Sequence, residues 1–116
     1  MDDLFLLVSG IGGILIALFH GYLGHAFVLR GMTAEKPVLS RVNAAVFQLS
    51  TIYWIAAGAL LVLTPALFSG SERRLTVGFV IFAYGCGAIG NFWATRGRHP
   101  GWALLGVVII LAMLGQ

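Results

Sequence analysis

The sequence predicts an all-α integral membrane protein, a bundle of four transmembrane helices, and three observations carry that prediction. The chain is 59% hydrophobic and only 9% charged, with a mean hydropathy of +0.97, whereas an ordinary soluble domain is about a quarter charged. A soluble fold of this length could not hide so much apolar surface, because small domains keep a large fraction of their area exposed. The apolar residues also fall into four runs separated by short polar breaks. Finally, the basic residues Arg30, Lys36, Arg41, Arg73, Arg74, Arg96 and Arg98 sit at the ends of those runs. That placement reads as a set of topology signals, not as a phosphate-binding patch, so the net charge of +3 does not point to nucleic acid.

The first helix is expected over about 4–29, ending at Arg30, and the second over 42–63, closing at Thr64 and Pro65. The third is expected over 75–93 and the fourth over 100–115, giving a single transmembrane domain over 1–116. A helix needs roughly 20 residues to cross about 30 Å of hydrocarbon, and the first three runs reach that length. The fourth has thirteen residues from Trp102 to Leu114, so it must recruit its flanks or thin the bilayer. Pro100 suits a first helical turn and Trp102 a membrane interface. The connections "GMTAEKPVLSR", "PALFSGSERR" and "ATRGRHPG" are too short to be soluble domains, so any activity lies in the bundle or at its rims. Met1-Asp2-Asp3 is acidic where a signal peptide needs basic residues, and the first helix is therefore expected to be retained. Five basic residues flank the first and third loops and two lie in the second, which puts the first and third loops in the cytoplasm and both termini outside.

A shift of 66 residues pairs Gly12 with Gly78, Ala17 with Ala83, Gly21 with Gly87, Gly24 with Gly90, Arg30 with Arg96 and Gly31 with Gly97. Read as a repeat, this is two parallel helical hairpins; read as chance, it is what a chain with sixteen glycines produces. On the first helix, Gly10, Gly13, Ala17, Gly21 and Gly24 share a narrow face with Ser9 and His20, opposite Ile11, Leu15, Leu18, Phe19 and Tyr22. On the third, Ala83, Gly87 and Gly90 lie with Tyr84 and Asn91. Small residues at such spacing let helices approach closely in lipid.

His20 is thus expected to point into protein. If the polar faces converge, His20, Gln48, Thr51, Tyr84 and Asn91 form one intramembrane cluster. It acts either as interhelical hydrogen-bond glue or as a binding or conduction site, since ionisable groups inside membranes default to functional candidates. The structural role is favoured. His25 lies off that face, toward the cytoplasmic rim, a rim that His99 of the third loop can share. A metal site from that pair lacks completing carboxylates or thiolates.

The acidic residues Asp2, Asp3, Glu35 and Glu72 all lie at ends or in loops, so no carboxylate can carry protons across the bundle. Small multidrug-resistance transporters match the length and helix count but depend on an acid in the first helix, a place only His20 could fill, its imidazole titrating near neutral pH. A membrane haem needs two facing histidines, which one chain supplies only if a dimer offers His20 twice. Cys86 is single and mid-helix, so it packs as a small apolar residue, and "SGIGG" opens no phosphate loop. No catalytic residue, metal ligand or cofactor is assigned.

The pieces His20-Gly-Tyr-Leu-Gly24-His25 and Phe47-Gln48-Leu-Ser-Thr51-Ile-Tyr-Trp54 resemble a group of small bacterial four-helix membrane proteins of uncharacterised activity. In that group the first helix ends in His-x-x-Leu-Gly-Glu and the second carries Trp-His-Leu-Thr-Ser and then a tryptophan. The likeness covers the first half of the chain and departs at His25, where the group tends to have Glu, and at Gln48, where it tends to have His. It implies a helical bundle in a bacterial inner membrane and no activity. The function expected is that of a non-enzymatic membrane component acting through helix packing, with the bilayer, further copies or other membrane subunits as partners. The alternatives are a small dimeric transporter or channel using His20, and a haem- or quinone-binding protein.

Overall fold

The computed structural model describes residues 1–30 and 37–116. Gly31, Glu35 and Lys36, which the sequence reading used, lie outside the described residues. Among the described residues four α-helices follow one another: α1 Asp2–Leu23, α2 Pro37–Leu67, α3 Gly70–Thr95 and α4 Gly101–Leu114. A π-helical segment, Gly24–Leu29, prolongs α1. Asp2 and Asp3 in the first turn of α1 complement its dipole. Gly24 does not stop the helix, because it keeps helical angles of φ −59° and ψ −46°. The chain passes instead into the wider i→i+5 winding, so a wheel drawn at 100° per residue holds only as far as Leu23.

The helices run beyond the apolar stretches at both ends of α2 and α3. Pro37 opens α2, where a missing N–H costs nothing. Pro65 stands inside α2 but only in its last turn, so the helix continues past it. Thr64 Oγ donates to the Leu60 carbonyl at 2.7 Å, and the Phe68 N–H reaches the Thr64 carbonyl at 2.9 Å. The polar turn Gly70-Ser-Glu-Arg-Arg74 is helical although hydropathy marks it as loop, with Glu72 at the favoured end of the α3 dipole.

Around the bundle the order is α1, α2, α3, α4, and each helix packs on its two neighbours, α1 most extensively on α2. The helices named α1 with its extension, α2 and α3 are long and apolar enough to cross a membrane, whereas α4 is shorter. At about 1.5 Å per residue, α4 with its 14 residues reaches about 21 Å and α2 with its 31 residues about 46 Å. The buried core occupies the part that α4 covers: Leu6, Leu61, Val77, Val80, Tyr84, Leu105, Val108 and Ala112. Ser9 Oγ donates to the Val108 carbonyl at 2.8 Å across the α1–α4 contact. At the end carrying both termini, Arg73 donates to Asp3 at 2.6 Å and to the Gly115 carbonyl at 2.9 Å.

The small-residue face of α1 turns inward, with Ser9, Gly10, Gly13, Ala17, Gly21 and Gly24 all buried, while Ile11, Leu15, Leu18, Phe19 and Tyr22 are exposed. A Cβ added to Gly10 would lie 2.6 Å from the Gly58 carbonyl oxygen, so α1 and α2 meet there backbone to backbone. At three further glycines a side chain takes that space. The Tyr84 hydroxyl occupies the space over Gly13, the Phe47 ring that over Gly24, and the Trp54 indole that over Gly87.

Candidate ligand-binding cavity

Because α4 is short, the ring of four helices is incomplete at the end opposite the termini. There the last turn of α1 with its π-helical extension, the N-terminal half of α2 and the last turns of α3 line a half-open cavity of about 650 Å³. It is lined by His20, Leu23, Gly24 and Leu29, by Asn43, Val46, Phe47, Ser50 and Trp54, and by Gly87, Gly90, Asn91, Ala94, Thr95 and His99. A second cavity of about 210 Å³ lies on the α4 side, between Leu15, Ile16, Phe19, Pro100, Gly101 and Leu104. His20, Trp54, Asn91 and His99 line both cavities and form the wall between them.

The wall is built by aromatic packing. The imidazole of His20 stacks on Phe47, with centroids 4.4 Å apart and planes within 8°, and it meets Trp54 at 4.7 Å and 37°. Phe47 and Trp54 are seven residues apart and share one side of α2. Each projects past His20 into a glycine notch, Gly24 at the start of the π-helical extension of α1 and Gly87 on α3. The position of His20 is therefore set by two rings that the glycines admit.

His99 reaches the cavity through the turn that ends α3. Arg96 adopts the left-handed conformation at φ 52°, Gly97 follows at φ 72°, and the Gly97 N–H closes on the Phe92 carbonyl at 2.8 Å. This is a Schellman-type stop, and it reverses the chain so that the next residues fold back over the bundle. The His99 N–H reaches Thr95 Oγ at 3.4 Å, and that hydroxyl donates to the Asn91 carbonyl at 2.7 Å. The Gly101 N–H then donates to His99 Nδ1 at 3.1 Å. An imidazole that accepts at Nδ1 carries its proton on Nε2, so His99 presents a donor.

Asn91 is the other polar member of the wall, and its Oδ1 is buried with no hydrogen-bond partner among the described residues. A buried carbonyl oxygen left unpaired costs about 1–3 kcal/mol. Among the described lining residues there is no Asp, Glu, Lys or Arg.

The structure divides the cluster anticipated from the sequence. His20 and Asn91 come together on the cavity wall. Thr51 is buried against Gly21, its hydroxyl directed to the Phe47 carbonyl at 3.3 Å, and Tyr84 donates to the Trp54 carbonyl at 3.1 Å from the packed core. Gln48 is half-buried on α2 and is not among the lining residues. His25 is exposed, whereas His99 lines the cavity with His20 because the Arg96–Gly97 turn folds it inward. Among the described residues no group of three or more His, Cys, Asp or Glu is placed to hold a metal ion. Compared with known proteins, the chain matches no family model, no curated protein and no solved structure.

Proposed function

We propose that the chain is a non-enzymatic multi-pass membrane protein that holds a neutral, largely apolar small molecule in the cavity beyond the end of α4. The observation that carries this reading is the cavity itself. Its volume of about 650 Å³ falls within the roughly 300–1,000 Å³ of small-molecule sites. Its lining is apolar with a few convergent neutral polar groups, the usual composition of such sites. Residence in lipid is supported by the outward faces, where Phe27, Phe82, Ile89 and Trp93 are each 69% exposed or more, a surface that water would not tolerate. Membership of a bacterial inner membrane with both termini outside rests on the resemblance of the first half and on the distribution of basic residues.

The test is binding in lipid nanodiscs of 1-methylpyrene, followed by its quenching of tryptophan emission, in the parent protein and in Ala94→Phe, which fills the cavity from α3. Saturable quenching lost in Ala94→Phe supports the reading. Quenching that is linear with probe and equal in both proteins sinks it. Reporter fusions at the C-terminus test the topology, and activity of an export-dependent reporter is the expected result.

A second reading, assembly through helix packing, is favoured by one observation. Gly78 and Gly85 are seven residues apart on α3 and have open space where a Cβ would be, beside exposed Phe79, Phe82 and Ile89. The glycines of α1, by contrast, are filled within the chain. Self-association therefore belongs to α3, and Gly85→Leu abolishing a dimer seen by native mass spectrometry supports it, whereas a monomer in mild detergent removes it.

A further inference from the structure

We infer that the cavity takes a flat, uncharged conjugated ring, and that the second face of Phe47 is the platform on which that ring stacks. The inference rests on the cavity reading above and adds the shape and electronic character of the occupant. Phe47 and Trp54 stand seven residues apart on α2, about 10.5 Å along its axis. The His20 imidazole lies 4.4 Å from the first ring and 4.7 Å from the second. It therefore sits between them, and the three rings form a short column along the bundle. His20 covers the Phe47 face that looks toward Trp54, and among the described residues no further ring stacks on the other face.

The large cavity lies on that other side. Asn43 and Val46, which precede Phe47 on α2, line it together with Leu29 at the end of the α1 extension. Phe47 lines the large cavity and not the small one, whereas His20 and Trp54, farther along the column, line both. The α3 side of the space is nearly bare backbone. Gly90 lines the cavity, and a Cβ there would meet nothing within 4 Å, whereas the notch at Gly87 three residues earlier is filled by Trp54. Ala94 adds only a methyl group one turn further on. A thin ring can thus rest on Phe47 with its edge close against α3. Stacked aromatic faces attract one another beyond what area burial supplies, a gain that neither a hydrocarbon chain nor a saturated ring of the same volume obtains. A charged ring is excluded, because no Asp, Glu, Lys or Arg is among the described lining residues, and burying an unpaired charge is prohibitive.

Two competitors with one carbon skeleton test this: anthracene, flat and conjugated, and perhydroanthracene, saturated and puckered. Each is titrated, at equal mole fraction in the lipid, against 1-methylpyrene bound to nanodisc-embedded protein carrying Trp93→Phe and Trp102→Phe. Trp54 is then the only tryptophan, and recovery of its emission reports displacement. Anthracene is expected to compete about two- to tenfold better. Phe47→Leu should abolish that preference and Phe47→Tyr should keep it. Equal competition by the two compounds with the wall unsubstituted overturns the ring inference while leaving the cavity reading intact, and this comparison needs no folded variant at Phe47. A preference that survives in Phe47→Leu overturns Phe47 as the platform. Absence of saturable probe binding, with quenching the same in Ala94→Phe, overturns the ring and the cavity together.

Discussion

Replacing Gly24 by alanine puts a methyl group where the Phe47 ring lies, in contact with three of its carbons. The ring has little room to yield, since its face is stacked on His20 at 4.4 Å. Overpacking of this kind costs about 1–3 kcal/mol, and loss of an aromatic stack adds about 0.5–1.5 kcal/mol. Alanine returns up to about 1 kcal/mol through its better helix propensity. The net expectation is a destabilisation of about 0.5–4.5 kcal/mol. The control is built into the chain. Gly90, 66 residues on, has nothing within 4 Å of its Cβ position, so Gly90→Ala should gain about 0.5–1 kcal/mol from propensity alone. Reversible unfolding in mixed SDS and dodecylmaltoside micelles, followed by far-UV circular dichroism, measures both. Two variants shifted in the same direction by similar amounts would refute the seating of Phe47 over Gly24, and with it the construction of the cavity wall.

Ser9→Ala removes the 2.8 Å hydrogen bond to the Val108 carbonyl and should cost about 0.6–1.7 kcal/mol in the same micelle titration, the range for interhelical bonds in lipid. Tyr84→Phe loses one neutral hydrogen bond to the Trp54 carbonyl, about 1 kcal/mol, whereas Gly13→Ala drives a methyl into the Tyr84 hydroxyl and should cost about 2–4 kcal/mol by losing that bond and overpacking together. Asp3→Asn breaks an ion pair whose acid is 62% exposed, so less than about 1 kcal/mol is expected, shrinking further as salt is raised. Gly97→Ala places a side chain at φ 72° and 2.8 Å from the Phe92 ring; a residue with a Cβ in the left-handed region costs about 1–2 kcal/mol, which the same micelle titration should show.

The four helices were legible because polar breaks interrupt long apolar runs, a signal that lipid demands of any chain it dissolves. Their ends were less so. Hydropathy reports what a residue prefers as solvent, and the turn from Gly70 to Arg74 is helical by hydrogen bonding while remaining polar. The face of α1 that turns inward could be drawn from a helical wheel, since small and bulky residues segregate on it. A wheel gives direction around one helix but says nothing about depth or about which neighbour stands opposite. For that reason Thr51 and Tyr84 could be expected beside His20, although they are buried in separate contacts. The seating of Phe47 and Trp54 in glycine notches needs two helices at once, and no single-chain periodicity carries it. The inward path of His99 had a local signal: Gly97 just beyond the end of α3 and Pro100 soon after mark a left-handed stop and a new start. What the signal lacks is the destination of the reversed chain, which depends on how far α4 falls short.

Seating rings on bare backbone has a consequence for how this chain can change over time. At an ordinary contact between two side chains, one can grow while the other shrinks, and many intermediate pairs fit. Where Phe47 lies over Gly24, one member is already the smallest residue available, so Gly24 cannot enlarge until Phe47 has first been reduced. Reducing Phe47 in turn frees His20, whose ring it holds. Substitutions in this corner must therefore arrive in a set order, and the double variant Gly24→Ala with Phe47→Leu should recover part of the stability lost by Gly24→Ala alone while leaving the imidazole without its stacking partner.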